Sequence, residues 1–413
     1  MPTSGPSPSA PEGPKGRFPG RLGIYLDDVY WVFALDGRER VSTDRSFLLF
    51  VCEAGEAFES LSVFGRAVPS AEPADYVLPE DVRLLALPHY SNLRQVVEVL
   101  RAAGGTLTGF WRGLAEVDRL WVFGPHPFAV LLVGLAVLRR KQVVLGVRQD
   151  TVRLYQARLA SRWSPALLAA RGVEGAYRLF SRRLRTTVQG SELAERYGGE
   201  RRGLLTMTES VVRTDDVVPE PLERDYSGEL VLLTVGRFET EKNPLLLVKA
   251  LAEIERERPG RIRLTWVGRG PLEEDVRRLA AELGVAERIE FLSYVAFGPE
   301  LLDLYRGAHA FIHVSFSEGV PKVLLEALAC STPIVATDVG GVRVALADGE
   351  AGLLVPPDDL DALVAATRTI LDEPELRRRL VSRGLELAHE LTLEAQAEEV
   401  VRFIGSPSLP APE

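Results

Sequence analysis

Cysteine is almost missing from this chain: Cys52 and Cys330 are the only two among 413 residues. That excludes a disulfide scaffold and a cysteine-cluster metal site, and a reducing, cytoplasmic setting is expected. His89, His309, His313 and His389 show no metal-ligand spacing, and packing is the expected role of the two in or beside 310–314. Long apolar runs are also missing. The strongest, Phe128–Leu138, has 11 residues and ends in Arg139-Arg140-Lys141. A membrane span needs about 20, so a buried helix is expected there. Positive charge is not in excess: the net charge of −9 argues against a nucleic-acid protein working through its overall field. No short-period repeat is present, which excludes a solenoid. The first residues lack the apolar core of an export signal. Their Pro, Gly and Ser density predicts a disordered tail over 1–19, with a second over 406–413.

Ordinary globular material fills the rest, 46% apolar and 26% charged. At about 150 residues per domain the length suggests two domains, or three. In the second half, near-continuous apolar runs at 229–234, 263–267, 289–292, 310–314 and 334–337 alternate with helical patterns, as strands covered on both faces do. The first half repeats the theme, with candidate strands at 22–26, 47–51, 83–87, 119–123, 143–147 and 186–189. Helices are expected there at 92–102, 127–139 and 192–197. The fold class is therefore α/β, two Rossmann-like doubly wound domains facing a cleft. An N-terminal domain is expected over 20–212, a linker over 213–227 and a C-terminal domain over 228–390. A helix at 391–405 is expected to pack back on the N-terminal domain.

Ligands of such sheets bind beyond the carboxyl ends of the strands. There, Gly236-Arg237 and Lys242 precede Asn243-Pro244, a good N-cap and first helical residue. Two cations beside a helix N-terminus suit a diphosphate, although a solvated loop with chance charges reads equally well from this pair alone. Gly268, in a Gly-rich turn after the next strand, lets a backbone pass close to a ligand. The sharpest feature runs from Ser317 to Cys330. Glu318 sits at a helix mouth, Gly319 and Val320 offer amides, Pro321 suits the first helical turn, and Glu326 follows on an apolar helix. A carboxylate in such surroundings wants hydrogen-bond donors, and ribose hydroxyls would serve.

Glu318 and Glu326, with Gly-Val-Pro between, resemble the E-x7-E signature of retaining glycosyltransferases of family 4, whose fold is GT-B. The segments 327–341 and 352–356, and the Gly236-Arg237…Lys242 pattern, are similar to the same family. The likeness covers roughly 230–404 closely and the first half in outline. It implies that Arg237 and Lys242 hold the donor diphosphate in place of a metal ion and that Glu318 holds donor-sugar hydroxyls. It further implies that Gly236, Gly268, Gly319, Val320 and Pro321 line the donor and that Glu326 holds the ribose. No cofactor and no metal are expected, only a nucleotide-diphosphate sugar as donor and a hydroxyl-bearing acceptor, carbohydrate or lipid-linked.

The chain departs from the family in three places. Ser331 stands where glycine usually ends the helix. No histidine follows 143–147. The common Gly-Gly loop near the N-terminus is replaced by Gly23–Trp31, whose Asp27-Asp28 pair reads as a solvated turn. On the acceptor side, His126, Arg148 and Asp150 are the candidates. Residues 151–185 hold eight arginines and one glutamate with interleaved apolar residues, a pattern suited to an anionic membrane, to a phosphate-bearing acceptor or to a solvated helix face. The expected activity is a retaining glycosyltransferase. A sugar-nucleotide epimerase, a sugar phosphorylase and an inactive nucleotide-sugar-binding regulator are the alternatives.

Overall fold

The computed structural model describes residues 17–149, 151–152, 164–199 and 201–406. The chain divides into two compact α/β units. Of the described residues, 17–187, 201–205 and 397–406 form the first, and 188–199 and 206–396 the second.

The N-terminal sheet contains β1 (Phe18–Leu35), β2 (Arg38–Thr43), β3 (Phe58–Pro69), β4 (Tyr76–Val77), β5 (Arg83–Leu87), β6 (Arg119–Gly124), β7 (Gln142–Val147), β8 (Arg185–Gln189) and β9 (Leu204–Met207). Over Leu22–Tyr25, β1 lies parallel between β3 and β6. Its register against β3 then slips, with Tyr25 opposite Phe64 but Val29 opposite Arg66, so that Leu26–Asp28 form a bulge. Beyond the bulge β1 continues into an antiparallel hairpin with β2, turned by Asp36 and Gly37, both at positive φ. The strand is thus far longer than the segment 22–26 read from sequence.

Two further expectations for this unit are corrected. Residues 47–51 are not a strand but open the helix Phe47–Gly55, which buries Phe47, Phe50 and Val51. A short apolar run has no period that separates the two states. The helix expected over 92–102 runs instead from Val96 to Gly113. The apolar helix Pro127–Leu138 buries Phe128, Ala129, Leu132, Val133 and Ala136, but Leu131, Val137 and Leu138 are exposed, so it is buried on one side only.

The C-terminal sheet is wholly parallel: β10 (Leu230–Val235), β11 (Ile262–Val267), β12 (Ile289–Leu292), β13 (Ala310–His313), β14 (Ile334–Thr337) and β15 (Leu353–Val355), in the order β12-β11-β10-β13-β14-β15. All five apolar runs read as strands are strands. The order reverses direction between β10 and β13, and such a switch point opens a crevice at the carboxyl ends of the two strands.

Segment 213–227 is not a free linker. Val212, Val217 and Val218 are buried in the core of the second unit, and the Val218 amide donates to the Ala329 carbonyl at 2.9 Å. The tail expected over 1–19 is too long at its end, because Phe18 and Pro19 already belong to β1, and 1–16 and 407–413 of the two expected tails lie outside the described residues. The end of the last helix, Leu393–Gly405, groups with the first unit. Arg119 donates to the Ile404 carbonyl at 2.9 Å, and Arg185 to that of Phe403 at 2.6 Å. Ser331 takes the left-handed conformation, φ 50°, that favours glycine. Its hydroxyl accepts from the Leu222 amide at 2.9 Å, offsetting the roughly 1 kcal/mol of strain.

Two glycines set how closely the second unit's loops pack. A Cβ on Gly268 (φ 152°) would stand 2.0 Å from the Gly236 carbonyl oxygen, and one on Gly340 (φ 51°) 2.0 Å from that of Glu318. Gly268→Ala is expected to lower stability by about 2–3 kcal/mol, through clash and backbone strain together. Gly104→Ala, in the exposed middle of a helix with nothing within 4 Å of the new methyl, should raise it by about 0.5–1 kcal/mol. Urea unfolding midpoints of the two variants check both signs.

Candidate active site

The loops leaving β10 and β13 meet at the switch point of the C-terminal sheet. After β10 the chain turns through Gly236 and Arg237 into a short 3-10 turn, Thr240–Lys242, and then the helix Pro244–Glu257. Asn243 occupies the cap position without capping. It adopts a left-handed conformation (φ 40°), which asparagine tolerates, and its amide donates to Asp358 at 3.0 Å. The loop is pinned from the β13 side: the Phe316 amide and the Ser315 hydroxyl both donate to the Glu241 carbonyl, at 2.7 and 2.8 Å. On its other side the Phe238 amide donates to the Arg269 carbonyl at 3.1 Å.

This framework places Lys242 against Glu318. The Lys242 ammonium donates to Glu318 Oε1, and His313 Nε2 stands 3.0 Å from the same oxygen. Burial by itself raises the Glu318 pKa, but the His313 hydrogen bond and the Lys242 charge outweigh it and bring it to about 2. Glu318 is therefore an anion at neutral pH, held between two nitrogen donors. His313 is buried at the end of β13 and is a polar member of the site rather than packing material, which corrects the sequence reading. His309 does serve structure, its Nδ1 accepting from the Val231 amide at 3.0 Å.

Arg237 turns back on its own loop, donating to Glu239 at 2.8 Å and to Glu241 at 3.0 Å, with its side chain 58% exposed. Gly319 follows Glu318 at the surface, and its carbonyl accepts from the Gly341 amide at 2.9 Å. Val320 and Pro321 are buried. Pro321 is the residue before the helix Lys322–Ala329 rather than inside its first turn. Lys322 bonds Glu209, a buried carboxylate that sequence patterns did not mark. Glu326 lies on the buried side of that helix, 5% exposed, where Tyr305 donates to its Oε2 at 2.8 Å. Burial pushes its pKa up to about 7, against the pull of the Tyr305 hydrogen bond and Lys322.

The N-terminal unit has a second cluster, also at a switch point, because β3 and β5 lie to one side of β1 and β6 and β7 to the other. Asp27, in the β1 bulge, accepts from the Tyr90 hydroxyl, stands 3.3 Å from Arg66 Nε and 3.1 Å from His126 Nε2. Tyr25 reaches His126 Nδ1 at 3.3 Å. Burial lowers the His126 pKa, with Asp27 opposing and Arg66 assisting, so the ring is neutral. Asp28 is pushed up by burial, against Arg148 and Arg45. The Asp27-Asp28 pair is thus not a solvated turn: the bulge turns Asp27 into a network of four neighbours. Arg148, after β7, lies over the Phe47 ring at 3.8 Å. Asp150 lies outside the described residues. Among the described residues no three His, Cys, Asp or Glu side chains are grouped to hold a metal ion. No described helix is long and apolar enough to cross a membrane.

Residues 223–386 match the family model of glycosyl transferases group 1. The D-inositol 3-phosphate glycosyltransferase of Corynebacterium efficiens is 37% identical over 175 residues, 41% of either chain. That of Pseudarthrobacter chlorophenolicus is 32% identical over 249 residues, 56% of this chain and 58% of its own. The chain spans about half the length of these curated relatives. Among solved structures, WaaG, a glycosyltransferase involved in lipopolysaccharide biosynthesis, superimposes with a TM-score of 0.68 at 18% identity, covering 93% of this chain and 99% of its own. Sucrose-phosphate synthase from Thermosynechococcus elongatus gives 0.66 at 20% identity, covering 92% and 97%. Anabaena HepE, solved in complex with UDP-glucose, gives 0.64 at 14%, covering 92% and 99%. The fold of the chain is GT-B, built from two Rossmann-like units.

Glu326 carries a pH dependence whose sign is fixed by its raised pKa. Between 4.5 and about 7 the folded protein holds a proton that the unfolded chain has released, so this group's contribution to stability falls as pH rises through that window and is level above it. Glu326→Gln keeps a neutral acceptor for Tyr305 and is expected to remove that slope, on the order of 1 kcal/mol per pH unit. Urea unfolding of wild type and variant at pH 5, 6, 7 and 8 reads the difference.

Proposed function

We propose that this protein is a retaining, metal-independent glycosyltransferase that moves a hexose from a nucleotide-diphosphate sugar to an acceptor hydroxyl. The Lys242–Glu318–His313 arrangement at the switch point, inside a glycosyl transferases group 1 segment, carries the reading. On this reading the donor diphosphate takes Lys242 and Arg237 from their carboxylate partners. Preorganised positive charge then meets negative charge as it develops on the departing nucleotide diphosphate, often the largest catalytic contribution. Glu318, ionised and fixed by His313, accepts hydrogen bonds from donor-sugar hydroxyls. Gly236, Gly268, Gly319, Val320 and Pro321 line the donor, and Glu326 takes the ribose, whose hydroxyls would share it with Tyr305. The acceptor attacks from the face that the diphosphate leaves, so the anomeric configuration is kept. His126, Arg148 and Asp150 belong to the acceptor side, joined by Asp27. A chain with only two cysteines suits a cytoplasmic setting. Contact with an anionic membrane also belongs to this reading.

The relatives' inositol phosphate and the UDP-glucose of HepE supply the first acceptor and donor to try. Turnover of a nucleotide-sugar panel with D-inositol 3-phosphate and simple sugars, followed by NMR of the product's anomeric proton, tests the proposal. Lys242→Ala is expected to lower kcat/KM by about 100-fold or more, with wild-type activity unchanged in EDTA. Full turnover in that variant, or an inverted product, would overturn it. Donor consumed only with inorganic phosphate would indicate a phosphorylase, donor isomerised without acceptor an epimerase, and donor bound without turnover a regulator.

A further inference from the structure

The crossovers from β5 to β6, β6 to β7 and β7 to β8 all step the same way along the N-terminal sheet. Right-handed connections therefore lay the helices Val96–Gly113, Pro127–Leu138 and Pro165–Ser181 side by side on one face. Arg139 lies over the Trp111 ring at 3.7 Å, closing the first helix onto the end of the second. Each helix buries one apolar stripe against the sheet, and each carries another that faces outward. On the first, Val96, Leu100, Leu107 and Trp111 recur at helical spacing, with Leu100 69% exposed. Leu131 and Leu138 do the same on the second, Leu138 at 71%, and Leu168 and Leu179 on the third. Among the described residues seventeen large apolar side chains are exposed, and ten of them stand on these three helices.

An outer helix face is ordinarily polar, and a concentrated apolar patch marks a partner. Its charge says which kind. Residues 94–112, 127–141 and 165–183 hold ten Arg and Lys against two acids in a chain of net charge −9. One of those acids, Glu174, is buried, and the other, Glu98, is engaged by the Ser91 amide and hydroxyl at 2.8 Å. Exposed apolar side chains on helices rich in arginine complement a surface that is anionic outside and apolar just beneath.

We propose that this three-helix face docks peripherally on an anionic lipid bilayer, its leucines and Trp111 entering the headgroup–acyl boundary and its arginines meeting lipid phosphates. The basic stretch 151–185 contributes only its described helix to this face, and 153–163 lie outside the described residues. The inference stands apart from the donor chemistry.

Flotation of the full chain with vesicles of equal phosphatidylglycerol and phosphatidylcholine, and with phosphatidylcholine alone, tests it. Binding is expected on the anionic vesicles at low salt and should weaken with added salt. Leu100→Glu with Leu138→Glu is expected to lower the partition coefficient tenfold or more. Arg101→Glu with Arg112→Glu should do the same, at about fivefold for each charge removed. Val344→Glu, an exposed apolar site in the second unit, should leave it unchanged. Melting curves like wild type confirm that the variants are folded. Wild type that stays off the anionic vesicles, or double variants that float like wild type, would overturn the proposal. So would a dimer in sedimentation that the Leu100→Glu, Leu138→Glu pair disperses, which would assign the face to a second copy.

Discussion

The ion pair of Lys242 and Glu318 ties together loops that leave two neighbouring strands, and the arrangement of the C-terminal site follows from it. Both side chains are largely withdrawn from water, 20% and 10% exposed. Burying such a pair is rarely a net gain in stability, because desolvation consumes most of the Coulombic attraction. What the pair does is hold position. His313 fixes Glu318 from below, at the end of β13, while Ser315 and Phe316 anchor the loop that carries Lys242. Without these contacts the ammonium would be a flexible point charge on a four-carbon stem. With them it stands at a defined place at the carboxyl end of β10.

The two units solve the same problem with different chemistry. In each, strand order reverses about a central pair, β1 with β6 and β10 with β13; in the first a residue of the β1 bulge bonds one that follows β6, and in the second the residues that follow the two strands bond to one another. The C-terminal pair is cation with carboxylate in direct contact, on loops whose close backbone approaches at Gly268 and Gly340 leave no room for a side chain. The N-terminal pair is carboxylate with neutral imidazole, enclosed by Tyr25, Tyr90 and Arg66. A cation poised against a carboxylate is suited to exchange partners with a diphosphate. An aspartate surrounded by hydroxyls, a guanidinium and an imidazole is suited to hydroxyl-bearing ligands, which can give and accept hydrogen bonds in turn.

Much of the C-terminal unit was legible because buried parallel strands print themselves as uninterrupted apolar runs, and the residues after them are then located by topology alone. The N-terminal unit was less so. Leu35-Asp36-Gly37-Arg38 carries a two-residue turn signal flanked by strand residues, and it marks the hairpin that extends β1. The bulge has no such signal. Whether Asp27 faces water or protein depends on a register shift against β3, and a shift is a property of two strands, so one segment's composition is silent on it. His313 was hidden for a related reason: its partner Glu318 is close in sequence, but the loop between them must fold back before imidazole and carboxylate meet. Val217 and Val218 lay inside a stretch rich in Asp, Pro and Glu, and two valines do not announce burial by themselves.

Charge in this chain is arranged rather than summed. The net value is negative, yet each of these two cations in the C-terminal loop already has carboxylate partners, Arg237 with Glu239 and Glu241, Lys242 with Glu318. Pairing of this kind keeps a cationic loop from repelling itself while no ligand is bound. On the proposed donor reading it would also set a threshold for ligands: a single weak anion gains little by displacing a carboxylate already in contact, whereas a diphosphate would bring enough charge to take both cations at once. On the outer helices of the N-terminal unit the opposite holds, with arginines outnumbering acids and apolar side chains set among them. Field strength falls within about 8 Å in physiological salt. Charge in the two regions therefore acts locally, and the acidic total decides neither.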